Sequence, residues 1–292
     1  MHEGRSRSFY ALAAFFGAYV LFLYGPMIAI FILSFQGPSG GLTFPMNGVS
    51  LHWFERVFAG NGTVDIGSAF LRSLRLGLTV MLLTVVVSVA AGMSFRKRFA
   101  GSSILFYTAI ASLIVPSIVT SLGISLEFHI IDSAVQKYLS KSWQTGMGLF
   151  TSGLGAHLTW TLPFGLLIMF AIFNRFDGRL EEAARDLGAS PWQTFRYVVL
   201  PIILPSVVGI GLFGFTLSWD ELARSSQTIG AVNTLPLELQ GLTTTVTKPD
   251  IYALGTLTTA VSFLVIAACL AAILLLQWRQ GRRGSDAGKG LV

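Results

Sequence analysis

Few residues in this chain are arranged to make or break bonds. The four histidines, His2, His52, His129 and His157, are scattered and show no metal-ligand spacing. His157 reads as a packed or hydrogen-bonded side chain near the start of an apolar run. Cys269 is the one cysteine and lies within another such run, so no internal disulfide can form. Gly288-Lys289-Gly290 is not a phosphate loop. No glycine stands five residues before Gly288, and no hydroxyl follows the lysine. What remains is suited to binding and passage. Asp220 and Glu221 follow Ser218-Trp219 at the end of an apolar run. Carboxylates at such a border are functional candidates, and their charge would concentrate a cation. They could equally be solvated or paired with Arg224, and Glu127 and Asp132 admit the same two readings. Pro116, with Ser117 and Thr120 beside it, interrupts a further run and reads as a structural kink or a gate. Together with Trp219 these residues form a candidate substrate path. No catalytic residue and no cofactor site is expected in the chain.

The elements that carry these residues are set by composition. Of 292 residues 53% are hydrophobic and only 12% charged, whereas a soluble domain carries about 25% charged residues. Six charge-free apolar runs lie within Phe9–Phe35, Leu76–Phe95, Phe99–Leu126, Ser142–Asn174, Tyr197–Trp219 and Ile251–Trp278. Each can supply the roughly 20 apolar residues of a membrane-crossing helix. A spanning barrel would show alternating segments of about 10 residues instead, and these runs do not alternate. The fold class is therefore all-α and integral to a membrane, with six crossing helices.

The net charge of +6 belongs to topology, not to nucleic acid. With the first helix starting inside, thirteen of the twenty Lys and Arg fall on inner segments. Excess positive charge on short loops marks the cytoplasmic side, so both termini are expected there. Arg72 and Arg75, near the outer end of the second helix, would snorkel to lipid headgroups. The first run is about 27 residues long, too long for the h-region of a signal peptide, and reads as an uncleaved anchor.

Residues 1–8 are thus expected to form a cytoplasmic N-terminus, 9–278 the transmembrane domain and 279–292 a cytoplasmic tail, disordered from Gly281 onward. Gln36–Gly67 reads as an external loop with a short interfacial helix starting near Leu51-His52-Trp53-Phe54. Glu127–Gln144 reads as a second external segment. The fifth helix is expected from Pro201 or Pro205, where the chain would bend back into the membrane. Gly209, Gly211 and Gly214 in it suit close helix packing.

The most distinctive stretch runs from Glu181 to Pro201. Glu181–Leu187 is a strong helix former with its acidic residues at the N-terminal end, where the helix dipole favours them. Gly188 is placed to stop it in a left-handed conformation. Ser190-Pro191 restarts a helix as N-cap and first residue, and Trp192, Phe195 and Val199 follow at helical spacing as an apolar stripe. The product is a compact helix–turn–helix that could dock in another protein's groove.

Glu182-Ala183-Ala184, Gly188, Val198 and Leu200-Pro201 fall at the spacing of the EAA loop found in ABC importer permeases. That pattern is Glu-Ala-Ala, three residues, Gly, nine residues, Ile, one residue, Leu-Pro. Val198 for Ile is the one departure. The chain therefore resembles an ABC importer permease of the type I fold. The resemblance implies that residues 174–202 form a cytoplasmic coupling loop, with Glu182, Ala183, Ala184, Gly188, Leu200 and Pro201 as the ATPase contact. It implies a second permease subunit, two cytoplasmic ATPase subunits that hold the ATP and Mg, and a periplasmic substrate-binding protein, in a bacterial inner membrane. Ser218-Trp219-Asp220-Glu221 and the later Leu235-Pro236-Leu237 resemble the spermidine/putrescine branch, its second permease partner in particular. A polyamine is then the expected cargo, with an opine, amino acid or related solute as the alternative. An ion-coupled transporter would want charges buried mid-helix, and the six runs carry none.

Overall fold

The computed structural model describes residues 6–59, 66–97, 99–245 and 249–287. They form helices α1 (Arg7–Leu33), α2 (His52–Ala59), α3 (Ile66–Phe95), α4 (Ser102–Ala111), α5 (Ser117–Tyr138), α6 (Leu154–Phe173), α7 (Arg179–Asp186), α8 (Pro191–Thr194), α9 (Leu200–Trp219), α10 (Ser225–Thr228), α11 (Leu235–Thr245) and α12 (Asp250–Ala287). Among the described residues the sole β feature is an isolated bridge between Gln36 and Val49. Among the described residues six helical spans are long and apolar enough to cross a membrane.

The chain divides into two units. One comprises the segment up to Gly67 with Leu239–Val261; the other comprises Ser68–Glu238 with Ser262 onward. In the first, α1 presents Phe15, Phe16 and Phe22 outward. Outward apolar side chains are what a lipid-facing helix requires, since its backbone is already satisfied internally. The loop after α1 is ordered around Gln36, whose buried amide accepts from the Asn47 N–H at 2.7 Å. The Tyr252 hydroxyl donates to the Leu42 carbonyl at 2.7 Å. The short helix expected at Leu51-His52-Trp53-Phe54 is α2. Its Trp53 is buried and not held at a headgroup surface.

The second unit is built on α3, α6 and α9. Gly165 of α6 is so close to Ser88 of α3 that a β-carbon there would overlap the serine side chain. At Gly214 of α9 a β-carbon would lie 3.2 Å from the Met81 Cα. Small residues let helices approach in this way where no water drives them together. Gly211 likewise faces Met81, whereas Gly209 opens to empty space. Met169, Val199, Ile203 and Ile210 form a fully buried cluster between these helices. Thr84 and Thr161 share a buried hydrogen bond of 2.7 Å.

Four boundaries differ from those expected. The third run is not one helix: α4 ends at Ala111, and the crossing helix α5 begins after Pro116. Proline disfavours helical backbone in the residue before it, so the break falls there and the segment around Glu127–Gln144 becomes mostly helical. Glu127, Asp132 and Lys137 thereby lie within a crossing helix, and the absence of charged residues from the spans, used above against an ion-coupled transporter, does not hold. The helix does not break at Pro201 or Pro205. A π-helical turn at Phe195–Val199 links α8 to α9 in one helical run, and the wider turn relieves the clash between the Pro201 ring and the carbonyls before it. α3 begins at Ile66, so Arg72 is inside it and donates to the Asn233 carbonyl at 2.7 Å. Lastly, α12 continues to Ala287, so most of the expected tail is helical. His2, Arg98, Lys248 and residues 288–292 lie outside the described residues.

Candidate functional site

The helix–turn–helix after α6 takes the form expected, in more detail. Gly188 has φ +84°. The Ala189 N–H bonds the Ala184 carbonyl at 3.0 Å, and the Gly188 N–H bonds the Arg185 carbonyl at 2.9 Å. These two bonds are the Schellman closure of a helix end. Immediately beyond, the Ser190 hydroxyl accepts from the Gln193 N–H at 3.3 Å, and the Gln193 side chain accepts from the Ser190 N–H at 2.8 Å. This capping box satisfies the donors that open α8. The turn is thus closed on both sides, at Ala184–Ala189 and at Ser190–Gln193.

Glu182 and Ala183 are exposed on this turn; Ala184, Leu200 and Pro201 are half-buried. Leu187 is 90% exposed and Trp192 68%. The expected stripe of Trp192, Phe195 and Val199 is split: Val199 is buried in the bundle, while Trp192 points out and holds Phe195 at a ring distance of 5.6 Å.

Glu181, one residue before the motif, is the acid that turns inward. Its Oε1 accepts from Arg96 Nη1 at 2.9 Å, and its Oε2 from Arg96 Nη2. Arg96 follows α3 directly, and its guanidinium lies 5.0 Å from both the Phe173 and Phe176 rings. The Arg96 hydrogen bonds hold the Glu181 carboxyl below its ordinary range against the effect of burial, and the charges of Arg185 and Lys97 add to this. Beside the pair is a cleft of about 420 Å³ lined by Met93, Lys97, Arg185, Pro191 and Phe195 among others. No spacing in the sequence links Arg96 to Glu181.

A second polar locus gathers around Arg224, a fully buried arginine. Its Nη1 donates to Ser117 Oγ at 2.8 Å, its Nε to Thr159 Oγ1 at 3.3 Å, and its Cζ lies 4.8 Å over the Trp160 ring. Nη2 has no partner among the described residues. Glu221 does not pair with this guanidinium; its carboxylate accepts the Arg224 backbone N–H at 2.9 Å. Burial pushes the Arg224 pKa down, and Glu221 partly offsets this. Next to it His157 is buried between Ser218 Oγ, 2.8 Å from Nδ1, and Ser225 Oγ, 2.9 Å from Nε2. The Ser225 hydroxyl spends its proton on the Glu221 carbonyl at 2.7 Å. It can therefore only accept from Nε2, which carries a proton.

Of the expected path residues, Ser117 and Glu221 meet at Arg224, with Pro116 adjacent as the N-cap of α5. Thr120 bonds back to the Pro116 carbonyl at 3.4 Å. Asp220 is exposed. Trp219 is core, stacked on Phe215 and edge-on to Phe70, each at 5.5 Å. Asp132 is buried but accepts from Trp143, Thr145 and the Gly146 N–H at 2.6–2.9 Å. Those neutral donors give it a structural task, tying α5 to the following loop. Glu127 is exposed.

Residues 84–282 match the family described as binding-protein-dependent transport system inner membrane component. The chain belongs to that family. It is the permease subunit of an ATP-binding-cassette importer and a multi-pass protein of the bacterial inner membrane. The permease is 31% identical over 264 residues to the spermidine/putrescine transport system permease protein PotC of Haemophilus influenzae, covering 89% of this chain and 95% of that one. It is 30% identical over 243 residues to the putrescine transport system permease protein PotI of Escherichia coli, covering 81% of each. In fold it is similar to a chain of a bacterial ABC transporter that imports the acidic polysaccharide alginate, with a TM-score of 0.61, 15% identity, and 92% and 98% of the two chains covered. A chain of the MetNI methionine ABC transporter aligns with a TM-score of 0.53 at 16% identity, covering 70% of the permease and 93% of that chain. Permease subunits of this family are not themselves catalytic, and they work as parts of larger transport systems.

Proposed function

We propose that this permease forms half of a polyamine translocation path, together with a second, similar permease. Both termini and the segment 174–202 face the cytoplasm, where two ATPase subunits bind ATP and Mg. A periplasmic binding protein delivers the cargo. The ATPases dock on the turn that carries Glu182, Ala183, Ala184 and Gly188, and the helical run through Leu200 and Pro201 carries the motion into α9. The observation behind this reading is the exposure of Leu187 and Trp192 on a turn locked at both ends. An apolar surface offered on a rigid polar element is an interaction site. The cargo assignment draws on the relatives named for spermidine and putrescine transport, and on Asp220, an exposed carboxylate able to attract a polycation.

The deciding experiment is reconstitution in proteoliposomes with the partner permease, ATPases and binding protein. ATP-dependent uptake of radiolabelled spermidine or putrescine is the expected result. Uptake that persists without the ATPases would sink the coupling role, and a complex that hydrolyses ATP with its binding protein but takes up neither polyamine would sink the cargo.

A further inference from the structure

We infer that the Arg96–Glu181 pair is a latch that passes displacement of the coupling turn to α3, making α3, α6 and α9 move together. This rests on the reading that an ATPase docks on that turn.

The turn itself has no slack. The closure at Gly188 and the capping box at Ser190 join α7 rigidly to α8, and the π-helical turn joins α8 to α9 without a break. A pull on the turn therefore reaches α9 directly. It reaches α3 through apolar packing, in which Met93 lies against the cluster that holds Val199, and through Arg96, whose side chain bonds α7 itself. Its planar fork engages both oxygens of Glu181, a geometry that fixes orientation as well as distance. Phe173, the last residue of α6, and Phe176 just beyond it confine the same guanidinium at 5.0 Å. The ends of α3 and α6 and the start of α7 thus converge on one group. Glu182, which belongs to the motif, is exposed and left for the ATPase; Glu181, which does not, is turned inward for the latch. Both residues of the latch are positioning residues and touch neither cargo nor nucleotide.

The test uses the whole complex in proteoliposomes and reads two quantities. One is the ATPase recovered with the permease; the other is the factor by which the binding protein stimulates ATP hydrolysis. Glu181→Gln, Arg96→Gln, the double variant and Arg96→Lys are compared with wild type. Each single neutral variant is expected to keep ATPase recovery within about twofold and to lose about tenfold in stimulation, with the double variant no worse than the poorer single. Arg96→Lys, which keeps the charge but loses the fork and the stacking, should fall between wild type and Arg96→Gln. Unchanged stimulation in both single variants overturns the latch. So does a double variant that loses the product of the two single effects, or recovery that falls in step with stimulation, which would make the pair part of the dock. If the neutral variants do not insert, Glu181→Asp serves, because it keeps the charge and breaks the two-oxygen reach; unchanged stimulation there overturns the latch equally. A wild-type complex that recovers no ATPase is a failure of the docking reading, and is seen before any variant is made.

Discussion

Arg96 and Arg224 are two inward-turned arginines housed in opposite ways. Arg96 has a carboxylate partner with matching geometry and two aromatic faces, and the pair remains partly open to solvent. Arg224 is fully buried, with two hydroxyls, one indole face and an unpaired Nη2, and no carboxylate among the described residues forms an ion pair with it. A buried charge without a counter-charge is costly. Its neighbours are therefore tightly specified, and loss of any one of them is felt. A partly solvated pair costs less to break and remake, which suits a contact between parts that move. The first arrangement fits the proposed latch between elements that shift; the second fits elements that are held still.

The largest effect should come from Gly188→Val. At φ +84° a left-handed backbone costs an ordinary residue about 1–2 kcal/mol, and a β-branched one more. The turn that carries Glu181 should distort, and ATPase recovery should fall more than about tenfold while membrane insertion is retained. Normal recovery would detach the turn from its proposed role. At the other locus, Ser117→Ala removes an acceptor from a buried guanidinium. Thermal stability in detergent should drop by about 1–3 kcal/mol, with ATPase recovery unchanged; the reverse pattern would erase the distinction between the two arginines.

A smaller and more discriminating effect is expected from methionine. Arg224→Met replaces an uncompensated charge with an apolar chain of similar length and should change stability by no more than about 1 kcal/mol, in either direction. Arg96→Met strands Glu181 and should be the more harmful to coupling. Asp220→Asn should then weaken uptake of a polyamine several-fold without loss of stability, since Asp220 is exposed, whereas Glu221→Gln can still cap the Arg224 N–H and should do less. Equal effects would remove the role given to Asp220.

The smallest effect concerns pH. The Glu181 carboxyl is held below its ordinary range, so its contribution is complete above the unfolded value of about 4.3 and is lost only as pH falls through the lower folded value. Binding-protein stimulation of ATP hydrolysis should be flat from about pH 5.5 to 8 as far as this group is concerned. A titration of that stimulation near neutrality that disappears in Glu181→Gln would refute the assignment.

Much of the coupling turn was legible in the residues themselves. Gly188, Ser190 and Pro191 occupy the positions that local backbone chemistry demands, and local rules were sufficient to place them. The six spans were legible for the same reason, because a run of apolar residues needs no partner to declare itself. Errors arose where tertiary context overrode a local signal. Pro116 stands at the start of a new helix, while a π-helical turn before Pro201 carried the helix through it, and Pro205 stayed inside α9. Asp132 admitted two readings by type, and only its three donors favour the structural one. Trp219 looked like a path residue and is core.

Sequence alone determined the all-α membrane class, the family and the form of the turn at Gly188, since these rest on composition and on contacts within about ten residues of chain. Only the tertiary structure could choose Glu181 over Glu182 as the inward acid, pair it with a residue 85 positions away, and set Arg224 against Ser117, 107 positions distant. Side chains so far apart meet only when helices pack, and the packing is decided by the fit of surfaces such as Gly165 on Ser88, which no single stretch of sequence contains.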